Sequence, residues 1–223
     1  MTQTIDVSTG DLGSHVDQAI QWIRSGLLIA APLENGYAFL ADAFDQDAVR
    51  AMHALRGDPL GVVAQVLISG QEVVDGIARD ISPDARLLMS KFWPGQLSFN
   101  LRPQRGLTWD LGDERRLDII SVRVPSAEFV LALLQKSGPL AVASAARVGQ
   151  SPIQDSKDIS AREFDLTGIF DVGTVALRPK STIVSAAQNR VEVLREGAVS
   201  IDAIRLHLPE ILVSGSTNSK PRE

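Results

Sequence analysis

The chain has 223 residues, of which 44% are hydrophobic and 22% charged, and this composition is typical of a single globular domain. It contains no cysteine, which excludes disulfide bonds and thiolate metal sites. The formal net charge of -5 speaks against a strongly basic nucleic-acid surface, and a polar start without an apolar run of about 20 residues predicts a cytoplasmic protein outside the membrane.

Start signals along the chain predict the helices. Ser14 precedes apolar residues at helical spacing, Asp45 is a favoured N-cap residue, and Ser82 is followed by a proline at the first helical position. Ser126 and Ser200 are expected to open two later helices. The predicted helices cover residues 15–25, 46–55, 83–93, 126–137 and 201–207.

Short apolar or alternating runs predict the strands, and Pro32 is expected to end the first of them. These strands cover residues 27–31, 61–68, 96–102, 119–124, 140–143, 167–172, 181–185 and 191–194. Several strands follow each other without a helix between them, which predicts an α/β fold with a mixed sheet covered by helices. We expect one domain over residues 1–208 and a polar, disordered tail over 209–223.

Common catalytic motifs do not occur in the sequence. It has no G-x-x-x-x-G-K-[ST] phosphate loop, no G-x-G-x-x-G fingerprint, no H-E-x-x-H and no G-x-S-x-G. The three histidines fall on different predicted helices or helix ends, so a histidine metal site is not expected. We therefore predict no metal site in the protein itself and assign no catalytic residue.

Arginine and hydroxyl side chains are expected in loops just after the predicted strands. Ligands of α/β sheets tend to lie at strand ends, and the planar fork of arginine suits phosphate and carboxylate groups. The pattern therefore predicts a cleft that binds an anion. Its candidate residues are Arg56, Arg123, Ser144, Ser181, Thr182 and Arg195.

Several segments together resemble the YrdC/Sua5 family. Phe-Trp-Pro-Gly-Gln-Leu-Ser at residues 92–98 is similar to its Phe-Trp-Pro-Gly-Pro-Leu-Thr segment, and Val-Arg-Val-Pro at 122–125 matches its Val-Arg-hydrophobic-Pro strand. The order and spacing of the motifs hold from about residue 15 to residue 205. The other matching segments are 26–32, 37–44, 138–145, 181–184 and 194–198. The resemblance implies a YrdC-like, twisted mixed sheet flanked by helices, with a ligand cleft at the strand ends.

The resemblance also implies an activity. Family members are nucleotidyltransferases that make L-threonylcarbamoyl-AMP from threonine, bicarbonate and ATP and release pyrophosphate. Their product feeds the threonylcarbamoyladenosine modification of tRNA, so the implied partners are ATP or another nucleotide, threonine, and tRNA or double-stranded RNA. Mg²⁺ is implied together with ATP. The acidic charge balance speaks against strong, non-specific binding of RNA.

Residue roles follow from the same resemblance. Arg123 is expected to face the threonine carboxylate, and Ser181 the threonine end of the site. The residues expected on the nucleotide side are Arg56, Ser144, Ser151, Thr182 and Arg195. A structural role is the alternative for each, since Arg123 is also suited to neutralise a neighbouring acid and Ser144 to cap a turn.

The sequence departs from the family pattern at three places. Leu33 stands where a threonine should hydrogen-bond the amino acid, and Leu55 stands where a lysine should grip phosphates, with Asp58 nearby. Ala146 replaces an asparagine on the nucleotide side. Losing a cation aimed at a transferring phosphoryl group costs about 10³–10⁵ in rate in arginine-finger systems.

Three functions are therefore open from the sequence. The first is an active threonylcarbamoyl-AMP synthase with unusual substitutions. The second is a catalytically impaired paralogue that binds a nucleotide or RNA. The third is a cleft that accepts a different acid or nucleotide.

Overall fold

The computed structural model describes residues 2–160, 166–188 and 190–214. The strands are β1 Gln3–Asp6, β2 Ile29–Leu33, β3 Gly36–Asp42, β4 Gln65–Leu67, β5 Ala78–Arg79, β6 Leu97–Pro103, β7 Ile120–Arg123, β8 Leu140–Ser144, β9 Gly168–Asp171, β10 Thr182–Ser185, β11 Glu192–Arg195 and β12 Leu212–Val213. The helices are α1 Leu12–Arg24, α2 Gln46–Arg56, α3 Val74–Ile77, α4 Pro83–Phe92, α5 Glu128–Ser137 and α6 Ile201–Arg205, with 3₁₀ turns at Gln71–Val73 and Ser156–Asp158.

The strands form a mixed sheet in the order β1-β9-β2-β3-β8-β4-β7-β6-β10-β11-β12, with β5 paired to β6. The centre of the sheet, from β2 through β3 and β8 to β4, is antiparallel. The pairs β4 with β7 and β6 with β10 are parallel. The predicted α/β fold with a mixed sheet is confirmed.

Helices cover both faces of the sheet. Apolar residues of α1 and α5 pack with alternate residues of β2, β3 and β8 in one buried cluster. Residues of α2 and α4 pack on the opposite face in a larger cluster. Because side chains alternate along a strand, each central strand contributes to both clusters. On the α1 and α5 face, β7 and β6 place polar residues, among them Ser98, Ser121 and Arg123, and the cleft described below lies there.

Local capping signals located three of the five predicted helix starts, and Ser126 caps no helix, because α5 begins after Ala127 without a side-chain cap. Asp45, Ser82 and Ser200 accept backbone N–H groups at the starts of α2, α4 and α6, as predicted. The first helix begins earlier than expected, because Asp11 rather than Ser14 is its N-cap and accepts the Ser14 N–H at 2.8 Å.

Some predicted boundaries are wrong. Pro32 does not end β2 but lies within it, opposite Tyr37, at a position beyond the two residues of β2 that pair with β9. A proline is tolerated there because its missing N–H is not needed by that neighbour. The strand predicted over 61–68 is reduced to Gln65–Leu67. The loop before it exposes Leu60 completely.

The sheet continues past residue 208. Leu212–Val213 of the segment predicted as a tail form β12, which pairs in parallel with β11, and Ile211 is buried. Residues 215–223 of that predicted tail lie outside the described residues. Across the part of the chain that is described, no helix has the length and apolar character needed to cross a membrane.

Candidate active site

A cleft of about 510 Å³ opens where several elements of the sheet end. Its wall includes the turn between β2 and β3, the end of α2, and residues of β4, β7 and β8. The loop after β8 and the segment that enters β10 close the remaining sides. Arg123, Ser144, Ser181, Arg195 and Arg56 all line it, although up to 139 positions separate them in the sequence. The structure therefore brings five of the seven predicted residues together.

Thr182 does not line this cleft. Its side chain is fully buried, and its hydroxyl donates to the carbonyl of Val199 and accepts the N–H groups of Gly197 and Val199. The expectation that Thr182 contacts a nucleotide is therefore wrong, because every hydrogen-bonding position of its hydroxyl is used inside the protein. Its role is to fix the turn after β11, where a side chain at Gly197 would collide with the carbonyl of Lys180.

The two other serines differ in position. Ser144 lines the cleft, where its hydroxyl accepts the N–H of Ala146 at 3.3 Å and its carbonyl accepts a hydrogen bond from Arg56 at 3.2 Å. Ser151 is exposed and lies between the lining residues Gln150 and Pro152 without lining the cleft itself. Ser144 thus combines a turn-capping contact with access to a ligand, whereas Ser151 lies beside the wall.

Arg123 forms a buried ion pair that the sequence reasoning did not assign. Its Nη1 donates to Glu34 Oε2 at 2.8 Å and to the carbonyl of Gly95 at 3.3 Å, and both charged side chains are 6% exposed. Glu34 lies in the two-residue turn between β2 and β3, and its other oxygen accepts the N–H and hydroxyl of Ser126. The Nε of Arg123 is buried and has no partner in the described residues. Arg123 therefore neutralises an internal acid while it lines the cleft.

The environment of Glu34 changes its acidity. Burial alone would favour the neutral acid, but the charge of Arg123, its hydrogen bond and the N–H of Ser126 outweigh burial and lower the pKa of Glu34 below its ordinary value of 4.5. The carboxylate thus stabilises the folded protein fully above about pH 4.5, and this stabilisation is lost as the pH falls through the folded pKa.

Replacing Glu34 with glutamine tests this pH dependence. We expect Glu34→Gln to be less stable than the wild type near neutral pH and the difference to shrink in acid, since the wild-type carboxyl is then protonated as well. Urea unfolding at several pH values from about 7 to about 3 measures the two free energies. A difference that stays constant over this range would contradict the assigned ion pair.

Arg56 is also committed to an internal acid. Its Nε lies 3.1 Å from Asp58 Oδ2, and His53 Nδ1 lies 2.8 Å from the same oxygen. The other ring nitrogen of His53 lies 2.9 Å from the carbonyl oxygen of Leu111. Asp58 is almost fully buried between the two side chains. The cation expected to face phosphates is therefore neutralised within the protein.

Three cations on the cleft wall have no carboxylate partner among the described residues: Arg147, Lys180 and Arg195. All three are exposed, and Arg195 donates to the carbonyl of Ser181 at 2.8 Å. Lys180 and Arg147 were missed by the sequence reasoning, although each stands within three positions of a predicted serine. The positive charge available to a ligand thus lies beside β10 and β11, at Lys180 and Arg195, and in the loop after β8, at Arg147.

The three residues that depart from the family pattern differ in whether they line the cleft. Leu33 and Ala146 line it and are buried, so they replace polar side chains by apolar wall. Leu55 packs against the apolar core and does not line the cleft. Within the described part, no group of three or more histidine, aspartate or glutamate side chains is placed to hold a metal ion.

The mixed sheet and the cation-lined cleft at its strand ends define a small-molecule-binding α/β protein. Residues 21–197 match the family model Sua5_yciO_yrdC, which carries the description telomere recombination. The chain belongs to the Sua5/YciO/YrdC family, as its motifs predicted.

Named relatives agree with this assignment. A Mycobacterium tuberculosis protein, provisionally named threonylcarbamoyl-AMP synthase, is 32% identical over 206 residues, which cover 92% of this chain and 94% of that protein. The threonylcarbamoyl-AMP synthase of Pyrococcus abyssi is 27% identical over 91% of this chain, but the match spans 59% of that enzyme. Both of these relatives carry the name threonylcarbamoyl-AMP synthase.

Solved structures show the same fold. A variant of P. abyssi Sua5 superposes with a TM-score of 0.87 at 26% identity and covers 100% of this chain and 65% of that chain. P. abyssi Sua5 complexed with L-threonine gives a TM-score of 0.84 at 24% identity over the same shares of both chains. The present chain thus spans just under two thirds of these Sua5 chains.

Proposed function

We propose that the cleft makes L-threonylcarbamoyl-AMP from threonine, bicarbonate and ATP, with release of pyrophosphate. The observation that carries this proposal is the meeting of Arg123, Ser181 and Arg195 in one cleft of about 510 Å³, in a chain of this family. We place the reaction in the cytoplasm, where its product would serve the modification of tRNA.

The positions of the unpaired donors indicate which part of the ligand binds at each side of the cleft. Nη2 of Arg123 donates to no described residue, so we assign it, with the hydroxyl of Ser181, to the threonine carboxylate. The cations without acidic partners, Lys180, Arg147 and Arg195, are assigned to the nucleotide phosphates. Ser144 and Ser151 are assigned to the same side, at the rim formed by the loop after β8.

The reaction requires that the reactants be aligned and that the charge on the phosphates be neutralised. An oxygen of the threonine carbamate forms a bond to the α-phosphorus of ATP, and the bond from that phosphorus to the oxygen of pyrophosphate breaks. Such a transfer depends on alignment and on cations near the developing charge. Asp58 is the one acid among the lining residues of the described chain, and it is bound by Arg56 and His53. Mg²⁺ therefore enters with the phosphates of ATP as part of the substrate.

A second function is favoured by two features of the cleft. Asp58 occupies Arg56 at the end expected to hold phosphates, and Leu33 gives apolar wall where the family has a hydrogen-bonding threonine. Both features suit a catalytically impaired paralogue that binds a nucleotide, or tRNA or double-stranded RNA, without the transfer reaction. A different acid in place of threonine is a variant of the same alternative.

One incubation separates these functions. Pure protein is mixed with ATP, threonine, bicarbonate and Mg²⁺, and pyrophosphate and the adenylate are measured. Turnover that depends on threonine supports the synthase. Nucleotide or RNA binding by calorimetry without pyrophosphate release supports the paralogue and overturns the synthase.

Arg195→Ala tests the placement of the nucleotide. We expect the Kd for ATP to rise about tenfold, since one charge-assisted contact is lost. Calorimetry with ATP measures the change, and Arg24→Ala, an exposed arginine outside the cleft, is the matched control. Equal affinities of wild type and Arg195→Ala would mean that the phosphates lie elsewhere.

A further inference from the structure

Four polar side chains form a hydrogen-bonded chain on the cleft side of four adjacent strands. The amide nitrogen of Gln65 on β4 lies 2.9 Å from the hydroxyl of Ser98 on β6 and 3.2 Å from that of Ser121 on β7. The hydroxyl of Ser98 lies 3.0 Å from that of Ser181, which directly precedes β10. The chain thus connects Gln65, which lines the cleft, with Ser181 on its other side.

The contacts of the buried Ser98 hydroxyl determine which group donates and which accepts along this row of hydrogen bonds. Ser98 is 0% exposed, and its hydroxyl accepts a hydrogen bond from the amide of Gln65. A hydroxyl carries a single proton, and the hydroxyl of Ser181 is the acceptor in reach of Ser98 among the described residues. Ser98 therefore donates to Ser181. The proton of Ser181 remains for a group inside the cleft.

A donor at Ser181 selects the kind of group that binds beside it. Arg123 lines the same cleft, and its Nη2 is left open by the contacts of Nη1 with Glu34 and Gly95. A hydroxyl donor and a guanidinium together suit an anionic oxygen pair, of which a carboxylate is the example that the proposed reaction provides.

We propose that Gln65 and Ser98 are positioning residues that hold the hydroxyl of Ser181 as a donor to the carboxylate of the amino acid. This inference rests on the proposed function. Neither residue was singled out by the sequence, because each acts through Ser181 rather than on the ligand. Ser98 stands at the last position of the Phe-Trp-Pro-Gly motif segment, where the family has threonine, and both residue types carry the hydroxyl that the chain requires.

The first test compares Ser98→Ala with Ser98→Thr. Loss of the hydroxyl in Ser98→Ala is expected to raise the Kd and KM for threonine about three- to tenfold, with little change in the Kd for ATP. Ser98→Thr restores the hydroxyl and is expected to restore threonine binding. An equal loss of threonine and ATP affinity in Ser98→Ala, or no loss at all, would overturn the inference.

The second test reverses the direction of the hydrogen bonds between Gln65, Ser98 and Ser181 and keeps every buried hydroxyl. In Gln65→Glu the introduced carboxylate accepts from Ser98, so Ser98 accepts from Ser181, which then presents oxygen lone pairs to the ligand. We expect the Kd for threonine to rise more than tenfold. Gln96→Glu adds the same charge to the cleft wall outside the chain and is the matched control.

The outcomes separate the inference from the function on which it rests. Wild-type protein that binds no threonine in calorimetry would overturn the proposed function and the inference together. Wild-type binding with equal losses in Gln65→Glu and Gln96→Glu would leave the function standing and overturn the inference. A larger loss in Gln65→Glu supports both.

Discussion

Replacing Arg123 with methionine is expected to lower the free energy of unfolding by about 3–5 kcal/mol, because the buried carboxylate of Glu34 then loses its cation. Methionine keeps much of the length of arginine, so the change removes charge more than volume. The same variant is expected to lose threonine binding, since Nη2 disappears from the cleft. Urea unfolding and calorimetry with threonine measure the two effects.

Two further variants make the test of Arg123 specific. Arg79→Met removes one of the two arginine partners of Asp80 at the surface and is expected to cost about 0–1 kcal/mol. The double variant Glu34→Gln with Arg123→Met leaves no buried charge, so it should recover part of the stability but none of the threonine binding. A double variant no more stable than Arg123→Met would contradict the account of the ion pair.

Replacing Asp58 with asparagine is expected to tighten ATP binding about tenfold. Asp58 adds negative charge to the cleft wall and neutralises Arg56, which also lines the cleft. Two unit charges 4 Å apart interact by about 4 kcal/mol at an effective dielectric constant of about 20, and distance and salt reduce this to about 1.4 kcal/mol, or tenfold. Asparagine keeps the size of the side chain and an acceptor for Arg56.

The control for this charge change lies on α2, the helix that precedes Asp58. Asp47→Asn removes one exposed negative charge from α2, outside the cleft wall, and is expected to leave the Kd for ATP within about twofold. Calorimetry at two salt concentrations measures both variants. If Asp58→Asn binds ATP no better than Asp47→Asn, then Arg56 and Asp58 do not limit the affinity for phosphates.

Local signals explain why much of the fold was predictable. Capping residues such as Asp45 and Ser82 act within one helical turn, so the sequence near them contains the whole interaction. Two of the wrong boundaries, at Pro32 and at residues 61–64, depend on which neighbouring strand is present. Strand pairing is a property of distant parts of the chain, and a run of residues does not reveal it.

The residues that line the cleft were easier to predict from the sequence than the residues that form hydrogen bonds or ion pairs with them. Arg123, Ser181 and Arg195 were found because motif order and residue type carry that information. The partners of two arginines were not found, because Glu34 lies 89 positions from Arg123 in the sequence and Asp58 was noted beside Leu55 but not paired with Arg56. Thr182 was misplaced because its motif does not tell which of two neighbouring hydroxyls points inward.

The length of the tight turn between β2 and β3 fixes the position of Glu34. Leu33 pairs with Gly36, so two residues make the reversal, and a side chain at Gly36 would meet the carbonyl of Ile153. One inserted residue would displace Glu34 by about 3.3 Å, more than the 2.8 Å that separates it from the guanidinium. The ion pair of Glu34 with Arg123 therefore depends on the length of this reversal as well as on the residue at position 34.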